Sequence, residues 1–342
     1  MKLHRDVLTP QHQEYAKFND PAEMRYLPYL MNFHRANYRS PVINTDRAGF
    51  RISHGPDGVT ASAAGHIPPG PVRVISGSST VMGIGATSDA TTLASLLWSR
   101  HAPSTPWLNF GGRCYNSTQE LLLFMLYRHL LPEIDEIVIF SGMNDLTVCR
   151  WPEWQQGDHG AFFFCGEYFE KMEELRAAHR KAKGRGWRST TRPTIATHDD
   201  ARRDIPTVIE SAADLTLRHL DTWQLLAGPG TRVSYVLQPM SLWMRDARAP
   251  QEQLLFDEID RISTLGTWEA LYGDVSTPEV SQAFSEKVRV GCEKRSIPYY
   301  DLNPVVAAAT VPDEWLFVDR THYTDKGSDI VAGILADTLK LS

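Results

Sequence analysis

From Val72 onward, short apolar runs alternate with longer amphipathic segments along the sequence. Short apolar runs of this kind predict buried strands and the segments between them predict helices, so the pattern indicates βα units and a parallel sheet. We therefore expect an α/β fold class. The predicted strands cover residues 72–76, 107–110, 136–140, 232–237 and 298–301. The predicted helices cover residues 89–100, 117–130, 168–183, 206–226, 278–294 and 325–339.

Three stretches stand outside this alternation. Residues 1–70 are rich in Tyr, Asn, His and Pro, which predicts an irregular N-terminal leader packed on the core of a domain formed by residues 71–342. Two further stretches, at about 151–204 and 241–277, follow predicted strand ends. Because open α/β sheets bind ligands beyond the carboxyl ends of their strands, we interpret these two stretches as insertions that cover or shape a pocket.

Charge and cysteine content argue against several classes of protein. The formal net charge of -6 disfavours broad nucleic-acid binding, which needs a basic surface. None of the four cysteines forms a CxxC pair, so we expect no metal site and no disulfide framework. No stretch reaches the roughly 18 apolar residues of a membrane helix, and no apolar run follows the first two residues. We therefore expect a soluble cytoplasmic protein that does not bind membranes.

A serine-containing turn follows the first predicted strand, in the run Gly77-Ser78-Ser79. A small-residue turn between a strand and a helix lets a serine hydroxyl project from the edge of the sheet, where backbone N–H groups can face a developing oxyanion. A phosphate-binding or purely structural loop is the alternative interpretation. No Lys follows as it does in a P-loop, which disfavours the nucleotide-binding version of that alternative.

The sequence contains a single Asp-x-x-His, formed by Asp319 and His322. A histidine that acts as a base needs a carboxylate to fix its tautomer, and three-residue spacing on a loop can bring the two side chains together. The alternative is an ordinary surface histidine, since the chain has 12 of them.

Polar turns follow two more predicted strands. Asn144 comes after the apolar run 137–140, and its side-chain N–H is a candidate oxyanion donor. The turn at 109–117 contains Gly112 and Cys114, and a backbone N–H there is a second candidate. The alternative interpretation of each turn is an ordinary connection between a strand and a helix, without a catalytic role. Four such loops at one edge of one sheet are nevertheless expected to converge on one site.

These four blocks, in this order, resemble those of the SGNH (GDSL-like) hydrolase superfamily. Gly77-Ser78-Ser79 stands where the family has Gly-Asp-Ser, so the resemblance makes Ser79 the nucleophile, with Asp319 and His322 as its catalytic partners. The family's oxyanion hole maps to Ser79, Cys114 and Asn144, with Gly112 as the alternative to Cys114. The resemblance also implies a three-layer αβα sandwich with a five-stranded parallel sheet.

The implied function is serine-dependent hydrolysis of a small acyl ester, such as an O-acetyl group on a sugar or natural product, with no cofactor or metal. We expect Arg113, Tyr115 and Asp145, which adjoin the oxyanion donors, to contact the substrate. Two alternatives stay open at this point: an acyltransferase that uses the same acyl-serine, and a catalytically silent binding protein of the same fold. The oligomeric state is not predicted.

Overall fold

The structure is a computed structural model that describes residues 3–20, 25–151, 156–163, 174, 176–178 and 202–341. Most of the predicted helix 168–183, and most of the predicted insertion 151–204, lie outside the described residues. Among the described residues, no helix has both the length and the apolar character required to cross a membrane.

The centre of the molecule is a five-stranded sheet in which all neighbouring strands run parallel. The described strands are β1 Arg25–Leu27, β2 Met31–Phe33, β3 Ser53–His54, β4 Thr60–Ala61, β5 Val72–Gly77, β6 Trp107–Gly111, β7 Ile134–Ser141, β8 Arg232–Leu237 and β9 Tyr299–Asp301. The last five form the sheet in the order β6-β5-β7-β8-β9. The prediction of five parallel strands is therefore confirmed, with each strand within two residues of its predicted bounds.

Helices cover both faces of this sheet. The described α-helices are α1 His4–Leu8, α2 His12–Phe18, α3 Ser79–Met82, α4 Leu93–Leu96, α5 Ser117–Tyr127, α6 Met143–Val148, α7 Ile205–Ala227, α8 Ser241–Met244, α9 Pro250–Ile262, α10 Trp268–Tyr272, α11 Pro278–Lys294, α12 Leu302–Ala309 and α13 Asp325–Leu339. Helices α5, α7 and α11 pack side by side, and α4, α12 and α13 form a second group. For this strand order, the right-handed rule for parallel crossovers puts the two groups on opposite faces, so the fold is the expected three-layer αβα sandwich.

The near-continuous apolar strands follow from this coverage. Every residue of β6 is buried, and β5, β7 and β8 are each exposed at no more than one position. Parallel strands covered on both faces need apolar side chains on both, which explains runs rather than alternation in the sequence.

Residues before Val72 contain more regular structure than the sequence indicates. Helices α1 and α2 are followed by two antiparallel hairpins, β1-β2 and β3-β4. Phe50 is buried and its ring lies 4.7 Å from that of Phe110 on β6, so this segment supplies part of the central core. The expectation of an irregular segment is therefore wrong in detail, because elements of two to seven residues are too short for a periodic pattern to reveal.

Candidate active site

Ser79 is the first residue of α3, two residues beyond the carboxyl end of strand β5. The N–H groups in the first turn of a helix have no partner within the helix, so the Ser79 N–H remains available to an acceptor at this edge of the sheet. Gly111, at the end of β6, lies against the same turn, and a Cβ there would come within 2.0 Å of the Met82 nitrogen. The serine turn therefore packs against the end of β6 more closely than a residue with a side chain at Gly111 would allow.

Two buried side chains form hydrogen bonds with the end of α3. Asn109 on β6 donates through Nδ2 to the Val81 carbonyl at 2.8 Å, and its Oδ1 accepts the Gly111 N–H at 2.9 Å. Arg51 donates to the carbonyls of Met82 at 3.1 Å and Gly83 at 2.8 Å. The carboxyl end of α3 is therefore tied both to the sheet and to the N-terminal segment.

Arg51 is itself a buried ion that needs a counter-charge. Its Nε lies 2.7 Å from Asp89 Oδ1, and both side chains are almost completely shielded from solvent. Asn44 donates to the same carboxylate through its backbone N–H and Nδ2, and the Tyr15 hydroxyl lies 3.1 Å from the guanidinium. The pair thus satisfies a buried charge that would otherwise destabilise the fold.

The Asp319–His322 loop meets the serine from the far end of the chain. His322 Nε2 lies 2.8 Å from Ser79 Oγ, and His322 Nδ1 lies 2.7 Å from Asp319 Oδ2. The other carboxylate oxygen, Oδ1, accepts the N–H groups of Thr321 at 2.9 Å and His322 at 2.8 Å, together with the Thr321 hydroxyl at 3.0 Å. The structure therefore brings all three predicted side chains into one hydrogen-bonded chain.

These contacts keep the Asp319 carboxylate ionised. Burial alone would raise the pKa of Asp319, but the adjacent His322 and the hydrogen bonds from His322 and Thr321 outweigh it and hold that pKa far below its usual range. An ionised carboxylate at Nδ1 fixes the imidazole tautomer, leaving the unprotonated Nε2 directed at the serine.

The same loop is held at Arg320, between the acid and the histidine. The Arg320 guanidinium makes two hydrogen bonds to the Asp260 carboxylate on α9, at 2.7 and 3.2 Å. The Arg320 carbonyl accepts the Ser241 N–H at 3.2 Å. The predicted insertion 241–277 therefore contacts the Asp-x-x-His loop directly.

Asn144 lies near the start of α6, where β7 turns into the helix. Gly142 makes this turn with φ +141, and a Cβ there would come within 2.4 Å of Leu237. The Asn144 side chain is half-buried, and its Nδ2 donates to the Tyr115 carbonyl at 2.7 Å. An amide nitrogen carries two N–H bonds, so the second remains available to an oxyanion.

Cys114 has a φ of +57, which non-glycine residues seldom adopt. The Tyr115 N–H closes a turn on the Gly112 carbonyl at 3.2 Å, which puts Cys114 at the third position, where type II turns require positive φ. This geometry explains why the family's glycine fits here. The N–H of the alternative donor, Gly112, already donates to the Gly77 carbonyl at 3.0 Å, which favours Cys114. The Cys114 N–H has no acceptor among the described residues.

The predicted substrate contacts divide into two groups. Tyr115 and Asp145 have no exposed surface; the Tyr115 hydroxyl donates to the Asn32 carbonyl, and Asp145 accepts the Ser117 hydroxyl at 2.7 Å. Substrate contact through these two side chains is therefore corrected to an interior role. Burial raises the pKa of Asp145 to about 6. Arg113 is half-buried, and its contact with substrate stays a prediction.

His34 supports the backbone at Arg113. Burial lowers the pKa of His34 to about 4, so its ring is neutral near pH 7. The Arg113 N–H donates to His34 Nε2 at 3.3 Å, which leaves Nδ1 to donate to the Gly49 carbonyl at 3.2 Å. The residues before Val72 thus support the oxyanion turn as well as the serine turn.

Sequence reasoning missed the supporting residues Arg51, Asn109 and Asp260. A polar residue inside an apolar strand was an available signal for Asn109, because a buried amide must find partners. Arg51 and Asp260 lie in segments without a motif, so their roles became visible only with the tertiary contacts.

The sheet order and the layers define a three-layer αβα sandwich with a five-stranded parallel sheet, which is the fold that the resemblance to SGNH hydrolases implies. No family model matches the chain, and no curated protein matches it in sequence. Solved structures similar to it include a lipase/acylhydrolase from Enterococcus faecalis, with 13% identity, a TM-score of 0.44, and coverage of 79% of this chain and 96% of that one. A carbohydrate acetylesterase from Sinorhizobium meliloti aligns with 11% identity, a TM-score of 0.43, and coverage of 79% and 99%. At these identities and TM-scores the likeness carries no argument about this chain.

Proposed function

We propose that the protein is a serine esterase that hydrolyses a small acyl ester, such as an O-acetyl group on a sugar or natural product, through an acyl-serine intermediate. The observation that carries the proposal is the continuous hydrogen-bonded chain from Ser79 Oγ through His322 to Asp319, at 2.8 and 2.7 Å. A hydroxyl, an imidazole and a carboxylate in this order are the parts that nucleophilic acyl transfer requires.

The reaction proceeds in two halves. Ser79 Oγ attacks the acyl carbonyl while His322 Nε2 takes the hydroxyl proton, and Asp319 stabilises the resulting imidazolium. When the tetrahedral intermediate collapses, the C–O bond to the alcohol breaks and His322 returns the proton to the leaving alkoxide. Water then attacks the acyl-serine with His322 as base, and the carboxylic acid leaves as the serine hydroxyl is restored.

The developing oxyanion is matched by three N–H groups: the backbone N–H groups of Ser79 and Cys114, and the Asn144 side chain. Two observations support the Cys114 and Asn144 donors, namely the left-handed turn at Cys114 with its unused N–H and the half-buried Asn144 amide. One such donor typically contributes about 3 kcal/mol of transition-state stabilisation.

The partial solvent exposure of Asp319 and His322 favours water, rather than an alcohol, as the final acceptor of the acyl group. The Asp319 side chain is 31% exposed and that of His322 is 14% exposed. Acyl transfer to an alcohol requires water to be kept out, whereas solvent reaches the edge of this site.

The decisive experiment is covalent labelling with a fluorophosphonate at mildly alkaline pH, with peptide mapping of the modified residue. We expect label on Ser79 and none in Ser79→Ala. Ser78→Ala is the matched control, because the neighbouring hydroxyl makes no capping hydrogen bond at the start of α3, and labelling should persist in it. A folded wild-type protein that takes up no label, and hydrolyses no p-nitrophenyl or sugar acetate, contradicts the proposal.

A further inference from the structure

Helix α10 carries two aromatic rings, Trp268 and Tyr272, on one face. Residues four apart lie one above the other on a helix, and here the ring centroids are 4.6 Å apart with an interplanar angle of 50°. Both side chains are half-buried, whereas Thr267, Glu269 and Ala270 around them are exposed. The pair therefore forms a compact aromatic surface that is still partly open to solvent.

The Trp268 end of this surface adjoins the Asp-x-x-His loop. The Arg320 guanidinium lies over the Trp268 ring, 5.5 Å from its centroid, within the range of a cation–π contact. Asp260, which binds Arg320, also accepts the backbone N–H of Trp268 at 2.9 Å, while the indole N–H of Trp268 donates to the Ser276 hydroxyl at 3.0 Å. Trp268 is thus fixed to the residue that stands two positions before His322.

The Tyr272 end adjoins the oxyanion side. Arg150, just after α6, donates to the Leu271 carbonyl at 2.7 Å and forms an ion pair with Asp274, and its guanidinium lies 5.8 Å from the centroid of the Tyr272 ring. Helix α6, which carries Asn144, packs against residues 273–275. Burial, followed by the nearby Cys114 thiol, raises the pKa of Tyr272.

We propose that Trp268 and Tyr272 form the subsite that receives an uncharged, flat-faced ring of the ester substrate. The inference rests on the proposed esterase function and adds the class of substrate. Trp268 contacts Arg320 of the His322 loop, and Tyr272 contacts Arg150, which follows the helix that carries Asn144. Aromatic rings pack favourably against other rings in offset-stacked or edge-to-face arrangements. The two arginines that contact the pair each bind a carboxylate: Arg320 binds Asp260, and Arg150 binds Asp274, which Arg202 also binds. This wall therefore offers a substrate aromatic surface rather than an unpaired guanidinium.

The test compares Trp268→Leu and Tyr272→Leu with wild type on three acetate esters: an acetylated monosaccharide, phenyl acetate and n-butyl acetate. Loss of a ring contact should lower kcat/KM for the ring esters by about 3–10-fold, mainly through KM, and leave the butyl ester nearly unchanged. A loss confined to the sugar or to the aryl ester identifies which ring the subsite takes. An equal loss on all three esters overturns the proposal, because it signals a structural role only.

Two control variants separate recognition from folding. Tyr272→Phe keeps the ring and should retain the ring preference. Leu265→Ala changes a residue of the same segment that is 71% exposed, and all three kcat/KM values should stay at wild-type level. If wild type cleaves none of the esters, the esterase proposal itself fails. If wild type cleaves them and the leucine variants keep the ring preference, only the subsite proposal fails.

Discussion

The buried ion pair of Arg51 and Asp89 joins the N-terminal segment to the turn that carries Ser79. Asp89→Asn removes the counter-charge of a guanidinium whose side chain has no exposed surface. It also places an amide NH₂ beside the Asn44 groups that now donate to the carboxylate. Removing one partner of a buried ion pair typically costs about 3–5 kcal/mol of unfolding free energy, because the other charge is left unpaired.

The assay is urea unfolding followed by tryptophan fluorescence, in a cycle of Asp89→Asn, Arg51→Met and the double variant. We expect each single variant to lose about 3–5 kcal/mol, roughly a hundredfold or more in the folding equilibrium. The double variant leaves no unpaired buried charge. Its loss of unfolding free energy should therefore be smaller than the sum of the two single losses by roughly 1–3 kcal/mol. The exposed pair of Glu286 and Arg289 supplies the matched control, and Glu286→Gln should cost less than about 1 kcal/mol.

The ion pair also bears on catalysis, because Arg51 binds the carbonyls of Met82 and Gly83 at the end of the helix that begins with Ser79. Under conditions where it stays folded, Asp89→Asn should lose about 10–100-fold in kcat with little change in KM, since the proposed nucleophile Ser79 is displaced while the proposed substrate contacts remain. Single variants as stable as wild type, or losses that simply add in the double variant, would refute this account of how the turn is held.

Two further predictions concern the oxyanion side. Asn144→Ala should lower kcat by about 10²–10³-fold with KM nearly constant, measured on any ester that wild type cleaves, and a loss below tenfold would remove Asn144 from the oxyanion hole. The folded-state pKa of Asp145, about 6, lies above its usual value of 3.8, so its contribution to stability is complete below that usual value and is lost as pH rises through 6. Asp145→Asn cannot titrate and should not show this loss of roughly 3 kcal/mol. The unfolding midpoint of the variant minus that of wild type should therefore increase from pH 4 to pH 7. A difference that stays constant over this range would contradict the reasoning.

The sheet and the long helices were predictable because local signals agree with the tertiary structure. Helices α11 and α13 begin and end at the predicted residues, since Thr277 and Thr324 cap them and Pro278 occupies a first helical position. The parallel strands were readable as apolar runs because both of their faces are buried.

The supporting contacts were not predictable in the same way. Arg51 and Asp89 are 38 residues apart and belong to no periodic pattern, so only the folded chain reveals their pairing. The left-handed backbone at Cys114 leaves no trace in the residue itself, because cysteine gives no turn signal. Asp145 illustrates the reverse error: its position beside Asn144 predicted a substrate contact, whereas helix geometry turns the two side chains in different directions.

The dependence of the sheet on residues before Val72 limits where the chain can be divided. A fragment that starts at Pro71 would retain every strand of the central sheet and every proposed catalytic residue. It would nevertheless leave Asp89 as a bare carboxylate in the interior and strip Phe110 of the ring that now covers it. A design that moves this sheet and its proposed catalytic residues into another protein therefore has to include residues 1–70, because they complete the core and supply the partner of Asp89.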